Sequence, residues 1–255
     1  MKLKMAKSRG RTGSAQGVVL EYSWQTTRTD GHAVDAVTPS GRSRDFIFFN
    51  HSSGGPMLYY RDLKIKLHPQ VYEPAEDTFL LAENLMIKEG DFALDMGTGT
   101  GIIALLMAKK AKFVLGVDVN PIAVELAKEN ARLNGIINVE FKQSDLFQNV
   151  GGKFNIITFN APYLPGEPEE PIDLALVGGR EGREVLDRFI EEVNGYLTEN
   201  GIIQIVQSSI TGVDKTIEKL TSKGFKVEIT GKERYFFEEI VLITAKRVGF
   251  SEPLE

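Results

Sequence analysis

Hydrophobic and polar positions from residue 75 onward alternate between the spacing of amphipathic helices and that of buried strands. Helical spacing predicts helices at residues 75–87, 101–110, 120–133, 180–197 and 214–223. Short apolar runs between them predict strands at residues 92–96, 113–117, 139–141, 154–159, 201–207, 225–230 and 237–244. Asn120 followed by Pro121 is typical of a helix start, with Asn120 as the N-cap.

This alternation predicts an α/β fold, a doubly wound and mostly parallel sheet of seven strands with helices on both faces. The final two strands are separated only by residues 231–236, which is too short for a crossover helix. These two strands should therefore pair antiparallel to each other, so the last strand should run opposite to the parallel strands of the sheet.

Composition narrows the class of protein. The 255 residues are 42% hydrophobic, enough for a full core, and no apolar run reaches the roughly 18 residues of a membrane span. The basic first residues lack the apolar core of a secretory signal, and the chain has no cysteine, which is compatible with a reducing compartment. We therefore expect a cytoplasmic protein without membrane association. With only three, well separated histidines, we expect no metal site.

Charge divides the chain at residue 56. The net charge is −5, yet residues 1–56 carry +4 and residues 57–255 carry −9. The first segment is rich in Ser, Gly, Thr and Arg and shows no sustained period. We expect residues 1–56 to be a poorly ordered extension, either a basic tail that contacts RNA or a product of a reading frame that properly starts at Met57. Residues 57–255 are expected to form the catalytic domain.

The loop DMGTGTG, residues 95–101, lies between the first predicted strand of this domain and its helix. Gly97, Gly99 and Gly101 allow a ligand to approach the backbone closely. A dinucleotide fingerprint needs a third glycine where Ile102 stands, and no phosphate-binding P-loop occurs. The D-x-G-x-G-x-G pattern resembles the motif that binds S-adenosyl-L-methionine, a cofactor without phosphates whose ammonium group Asp95 could attract.

Two further carboxylates follow the next strands. Asp118 ends the second strand, where it can accept hydrogen bonds from both ribose hydroxyls, and Asp145 follows the third, where it can accept from the adenine amino group. Leu146 would then pack on the adenine ring. The alternatives are a helix cap for Asp118, which Asn120 is better placed to provide, and a plain turn residue for Asp145. Carboxylates at three successive strand ends favour a cofactor site.

Five segments carry a resemblance to a known family: VYEPAEDTFLL (71–81), DMGTGTG (95–101), VDVNP (117–121), FNAPY (159–163) and VGGREGREVLDRF (177–189). Together they resemble the HemK-type protein N5-glutamine methyltransferases, in the archaeal and eukaryotic branch that methylates a peptide chain release factor. The resemblance covers residues 68–246. It implies the Rossmann-like fold of class I S-adenosylmethionine-dependent methyltransferases.

The resemblance also implies a substrate, partners and site residues. The methyl acceptor would be the glutamine of the Gly-Gly-Gln loop in a release factor. A small zinc-binding activator subunit would pair with the sheet edge near residues 139–141. Thr78 would touch the cofactor, and Asn160 would serve both cofactor and acceptor. The family has Asn-Pro-Pro-Tyr where this chain has Ala161 in second place, a change that keeps the backbone carbonyl but costs rigidity.

The chemistry of Asn160, Ala161, Pro162 and Tyr163 fits a planar amine. A glutamine amide nitrogen is a poor nucleophile because its lone pair is delocalised into the carbonyl. Acceptors on both of its N–H groups would stabilise positive charge that develops during attack on the methyl group. The Asn160 side-chain oxygen and the Ala161 carbonyl could serve as these acceptors. Pro162 would constrain the turn, and Tyr163 would pack on the flat amide.

Two other functions remain open from the residues alone. Adenine N6 is as planar and conjugated as an amide, so a DNA or RNA adenine methyltransferase could use the same device. The −9 charge and the acidic residues between 167 and 173 speak against stable DNA binding. A non-catalytic scaffold with a cofactor fold is the other alternative, and the intact glycine loop with Asn160 speaks against it. The acidic residues Glu167, Glu169, Glu170 and Asp173 are expected to face a basic substrate loop.

Overall fold

The computed structural model describes residues 47–52, 55–235 and 238–247. Its strands are β1 (Ile47–Ser52), β2 (Gly55–Tyr60), β3 (Leu63–Lys66), β4 (Phe92–Met96), β5 (Phe113–Asp118), β6 (Val139–Gln143), β7 (Phe154–Asn160), β8 (Leu197–Ser208), β9 (Phe225–Arg234) and β10 (Glu239–Arg247). Its helices are α1 (Glu76–Glu83), α2 (Ile102–Ala108), α3 (Pro121–Leu133), α4 (Glu184–Glu192) and α5 (Val213–Ser222), with 3-10 turns at Pro171–Ala175, Val193–Tyr196 and Ser209–Thr211.

Seven strands form the central sheet, in the order β6-β5-β4-β7-β8-β10-β9. Strands β4 to β8 pair in parallel, and β10 lies between β8 and β9, antiparallel to both. The predicted doubly wound, mostly parallel sheet with an antiparallel last strand is therefore confirmed. The connection between β9 and β10 is even shorter than predicted, because β9 extends to Arg234.

Helices cover both faces of this sheet. Helices α1, α2 and α3 pack into one apolar cluster, and α4 and α5 pack into the second. Leu81 and Leu105 are fully buried in the first cluster, and Phe189 in the second. Burial of a side chain of this size stabilises the folded state by about 1.5–3 kcal/mol. The two helix layers therefore hold the ends of the strands in fixed relative positions.

A three-stranded antiparallel sheet, β1-β2-β3, precedes the main sheet and was not predicted. Leu58, Tyr60, Leu63 and Ile65 alternate with polar or less buried positions and are all buried. Residues 1–46 of the expected N-terminal extension lie outside the described residues. Strand β1 and the start of β2 fall within the remainder of that segment.

Two predicted helices were too long. The helix predicted over residues 75–87 ends at Glu83, where Asn84 leaves helical geometry and its side chain donates to the Leu80 carbonyl. The helix predicted over residues 180–197 begins at Glu184. Gly182 adopts a φ of 75°, which a right-handed helix cannot contain.

The parallel strands β4, β5, β6 and β7 all end on one side of the sheet, where the glycine loop and the predicted acceptor residues lie. This is the side on which open α/β sheets bind ligands. Within the part of the chain that the structure describes, no helix is long and apolar enough to cross a membrane.

Candidate active site

A cavity of about 330 Å³ opens at the carboxyl ends of the parallel strands. Eleven of the predicted site residues line it together: Thr78, Asp95, Gly97, Gly99, Asp118, Asp145, Leu146, Asn160, Ala161, Pro162 and Tyr163. These positions are up to 85 residues apart in the chain, and the fold brings them to one place. The volume lies within the range of small-molecule and cofactor sites.

The glycine loop follows β4 and bends sharply into α2. Gly97, Gly99 and Gly101 have φ values of 63°, 54° and 84°, a left-handed conformation that side chains disfavour. Gly97 and Gly99 line the cavity, whereas Gly101, also predicted to bind the cofactor, does not. A Cβ at Gly101 would meet the Cβ of Ala127 at 3.0 Å, so this glycine allows α2 and α3 to pack closely.

Asp95 is 3% exposed and lies at the cavity wall. Its carboxylate accepts hydrogen bonds from the Thr98 hydroxyl at 2.7 Å and the Thr158 hydroxyl at 2.8 Å. Burial raises the pKa of Asp95 to about 6, although these hydrogen bonds pull it down. At neutral pH this side chain is a buried carboxylate that a cationic group would stabilise.

Asp118 is held by the glycine loop itself. Its Oδ2 accepts from the Gly99 N–H at 2.9 Å, and its Oδ1 accepts from the Asn120 N–H at 2.9 Å. Burial raises its pKa. The predicted N-cap is confirmed: the Asn120 side chain accepts from the Ile122 N–H. Asp118 is therefore free of the capping role and retains lone pairs for hydroxyl groups in the cavity.

Asp145 and Leu146 lie in a strained turn after β6. Leu146 has a φ of 46°, a rare conformation for a residue other than glycine, and it is 6% exposed. The Ser144 hydroxyl donates to the Leu146 carbonyl at 2.7 Å and stabilises this turn. The Asp145 carboxylate accepts from Arg188 of α4 at 2.9 Å, a pairing that the sequence did not predict.

Asn160 is the last residue of β7, and Ala161 and Pro162 follow it directly. The Ala161 N–H donates to the Val206 carbonyl at 3.3 Å, so pairing with β8 extends one residue beyond the strand. Ala161 and Pro162 are buried, and Asn160 is partly buried at the cavity wall. The side-chain amide of Asn160 makes no hydrogen bond with any residue in the described ranges. A rigid backbone thus presents an amide that is available to a ligand.

Tyr72 and Asp77 also line the cavity, and Tyr72 was not among the predicted site residues. The Tyr72 hydroxyl donates to Asp77 Oδ2 at 3.0 Å, and Asp77 Oδ1 accepts from the Thr78 N–H. Burial, followed by the charges of Asp77 and of Tyr163, raises the pKa of Tyr72. Tyr72 therefore stays protonated and holds Asp77. The sequence feature that could have identified Tyr72 is its place in the segment VYEPAEDT, residues 71–78.

Arg180 and Arg183 of the GGREGRE segment (178–184) and Arg188 of α4 have different partners. Arg183 is 6% exposed, and it pairs with Asp187 at 2.7 Å and donates to the Thr211 carbonyl. It therefore joins α4 to the turn before α5. Arg180 is exposed and lies 3.4 Å from Glu167, while Arg188 contacts Asp145 as described above.

The acidic loop after Tyr163 contains one structural carboxylate. Asp173 Oδ2 accepts from the backbone N–H groups of Glu169 and Glu170 at 3.0 and 2.9 Å, which lowers the pKa of Asp173. This carboxylate is engaged in closing the loop. Glu169 and Glu170 are exposed, and Glu167 is exposed beside Arg180.

The wall of the cavity suits a cationic ligand without phosphates, the class to which an S-adenosylmethionine-type methyl donor belongs. The wall carries the carboxylates of Asp95, Asp118 and Asp145, and it carries no cluster of cationic side chains that would suit phosphates: among the lining residues only Arg188 is basic, and it is paired. The Thr100 hydroxyl is buried at the wall and has no hydrogen-bond partner in the described parts of the chain. An unsatisfied buried hydroxyl at a cavity wall fits a site that is completed by a polar ligand.

Comparison with known proteins gives a consistent family. The methyltransferase small domain model matches residues 63–236. The "Putative protein N5-glutamine methyltransferase" of Methanocaldococcus jannaschii is 53% identical, over 73% of this chain and 96% of the relative. The release factor glutamine methyltransferase of Aliivibrio fischeri is 35% identical, over 76% of this chain and 69% of the relative.

A solved structure of a related methyltransferase shares the fold of this chain. It is the E. cuniculi Mtq2-Trm112 complex, described as responsible for methylation of the eRF1 translation termination factor. The matched chain has a TM-score of 0.57 and 26% identity, over 70% of this chain and 99% of that chain. Fold, cavity and relatives agree, and the chain belongs to the methyltransferase small domain family, among the HemK-type protein N5-glutamine methyltransferases.

Proposed function

We propose that this enzyme transfers a methyl group from S-adenosyl-L-methionine to the side-chain amide nitrogen of the glutamine in the Gly-Gly-Gln loop of a peptide chain release factor. The observation that carries the proposal is the position of Asn160. Its amide is available at the wall of the cavity that Asp95, Asp118 and Asp145 also line.

The three carboxylates would hold the methyl donor. Asp95 is buried and would attract the ammonium group, Asp118 would accept from the ribose hydroxyls, and Asp145 would accept from the adenine amino group. Thr78 and Leu146 line the same cavity and would contact the donor directly. When bound, S-adenosylmethionine supplies an electrophilic methyl group on a sulfonium centre.

Asn160 and Ala161 would hold the acceptor. The Asn160 side-chain oxygen and the Ala161 carbonyl would accept the two N–H groups of the glutamine amide and stabilise positive charge on its nitrogen. The partly buried ring of Tyr163 would pack on the flat amide and orient it. The nitrogen becomes strongly acidic once it carries the new carbon, so its proton can pass to water without a general base.

The proposed partner is a small zinc-binding activator subunit, and the E. cuniculi relative likewise occurs in a complex, with Trm112. Strand β6 is an edge of the main sheet, so its outer side can accept a strand from another protein. A groove beside this edge combines apolar and charged lining residues: Phe92, Phe113, Leu115 and Phe154 with Glu140, Lys142 and Lys153. Ile137, just before β6, is 95% exposed. This chain has no cysteine, so any zinc of the complex would belong to the partner.

A methyl-transfer assay tests the proposal. The enzyme, with and without the activator subunit, is incubated with labelled methyl donor and either purified release factor or duplex DNA. We expect label in the release factor and none in DNA. Label in DNA would instead support an adenine methyltransferase, and donor binding without transfer to either would support a scaffold.

A further inference from the structure

The GGREGRE segment lies against the backbone of the acceptor residues. A Cβ on Gly178 would stand 2.5 Å from the Pro162 carbonyl oxygen and 2.5 Å from the Gly182 carbonyl oxygen. A Cβ on Gly182 would overlap the Tyr163 carbonyl oxygen. Real Cβ atoms do not approach backbone oxygens this closely, so only glycine allows the two segments to be in contact.

Hydrogen bonds fix the same contact. The Tyr163 N–H and the Leu164 N–H both donate to the Leu176 carbonyl, at 3.1 and 2.7 Å. The Gly178 N–H donates back to the Leu164 carbonyl at 2.9 Å, and Leu164 and Val177 form a parallel bridge. Residues 176–178 therefore pair with residues 163–164, so the chain returns after the acidic loop and packs directly beside the acceptor residues.

Glu184 holds the glycine turn in shape. Its carboxylate accepts from the Glu181 N–H at 3.0 Å and from the Arg183 N–H at 3.1 Å. A Cβ on Gly179, whose φ is 106°, would overlap this carboxylate. The turn is thus closed around one side chain at the start of α4, and α4 is fixed in the core by Leu186 and Phe189.

We infer that Gly178, Gly182 and Glu184 are positioning residues for the methyl acceptor. They set the places of the Pro162 and Tyr163 carbonyl groups, and through the buried Pro162 they set the direction of the Ala161 carbonyl and the Asn160 amide. They touch no ligand themselves. This inference rests on the proposed function, because it assigns a task to the backbone on which Asn160 is presented.

Gly178→Ala is the direct test, because Gly178 does not have a positive φ and the substitution introduces the Cβ contact without backbone strain. The matched control is Gly195→Ala, since an added Cβ there meets nothing within 4 Å and Gly195 lines neither the cavity nor the groove beside β6. For Gly178→Ala we expect kcat for release factor to fall on the order of 100-fold, the cost of a misplacement of about 1 Å. The Kd for S-adenosylmethionine should stay within about twofold, and the control should match wild type in both.

A second pair of variants covers the possibility that Gly178→Ala does not fold. Glu184 is exposed, so Glu184→Ala should fold and should lower kcat about tenfold, and Glu184→Gln, which keeps one acceptor oxygen, should restore most of it. Equal kcat values for Glu184→Ala and wild type, or for Gly178→Ala and Gly195→Ala, would overturn the inference. Asn160→Ala is assayed in parallel: if it is inactive while those variants are fully active, the proposed function stands and only the inference fails. If Asn160→Ala is active, the proposed function itself fails.

Discussion

Arg188 of α4 donates to the Asp145 carboxylate at 2.9 Å, at the mouth of the cavity. Both side chains are about half exposed, so the attraction is screened by water and contributes little to folding. Its effect is geometric, because it fixes a carboxylate that is otherwise held only by a turn. Helix α4 therefore influences the adenine end of the proposed cofactor site.

This pair gives the first prediction. Asp145→Ala should raise the Kd for S-adenosylmethionine about tenfold, the cost of one lost hydrogen bond from the adenine amino group. Arg188→Ala should raise it by about threefold, because the carboxylate remains but is less well oriented. Calorimetric titration measures both. A larger effect from Arg188→Ala than from Asp145→Ala would mean that the arginine, and not the carboxylate, contacts the cofactor.

Asp95 should make stability depend on pH. Its pKa is about 6 in the folded protein against 3.8 ordinarily, so the folded state binds the proton more tightly than the unfolded state. The resulting stabilisation is full below about pH 4 and is lost as the pH rises through 6. Between pH 5 and 8 we expect the free energy of unfolding of the ligand-free protein to fall by about 1 kcal/mol relative to Asp95→Asn.

Urea unfolding of both proteins across this range measures the difference. The comparison with Asp95→Asn removes the contributions of all other titrating groups. Parallel pH dependences in the two proteins would show that the Asp95 carboxyl does not titrate near pH 6.

The acidic loop should attract a basic substrate. Glu169 and Glu170 are exposed, whereas Asp173 closes the loop, so only the two glutamates are changed. Charge reversal at both, to Lys, should raise KM for release factor several-fold at low salt, with kcat nearly unchanged. Raising the ionic strength should shrink the difference. The control is charge reversal at Glu89 and Glu199, which are exposed and do not line the cavity. An equal rise in KM in this control variant would show that the effect is not specific to the acidic loop.

Strand β6 should bind the activator through its outer edge. The Asn138 carbonyl and the Ser144 N–H both pair with β5. The backbone groups of successive residues in a strand point alternately to its two sides, so those of Val139 point away from β5. Val139→Pro removes one outward N–H without breaking a bond to β5. We expect about tenfold weaker binding of the activator subunit, measured by co-purification and titration. Val139→Ala keeps the N–H and should bind normally, and if the two variants bind alike the partner uses another surface.

The features predicted correctly from the sequence depend on short-range rules. The Asn120 cap and the glycine loop are each determined by a few neighbouring residues, and the mostly parallel sheet follows from strands that alternate with helices. The contacts of Gly178 and Gly182 with the acceptor residues are different, because they join segments that are separated by a loop whose path the sequence does not specify. The Asp145–Arg188 pair could not be predicted for the same reason, because it joins segments that are distant in the chain. The β2–β3 hairpin could have been found, since Leu58, Tyr60, Leu63 and Ile65 alternate, but its strands are short.

The most direct measurement is the mass of the Gly-Gly-Gln peptide from release factor after incubation with enzyme, activator and S-adenosylmethionine. We expect one added methyl group on the glutamine side chain with the wild-type enzyme. With Asn160→Ala we expect a rate lower by on the order of 100-fold or more and a largely unchanged Kd for the methyl donor. Methylation at another residue of the peptide, or full activity in a folded Asn160→Ala, would contradict the proposed function.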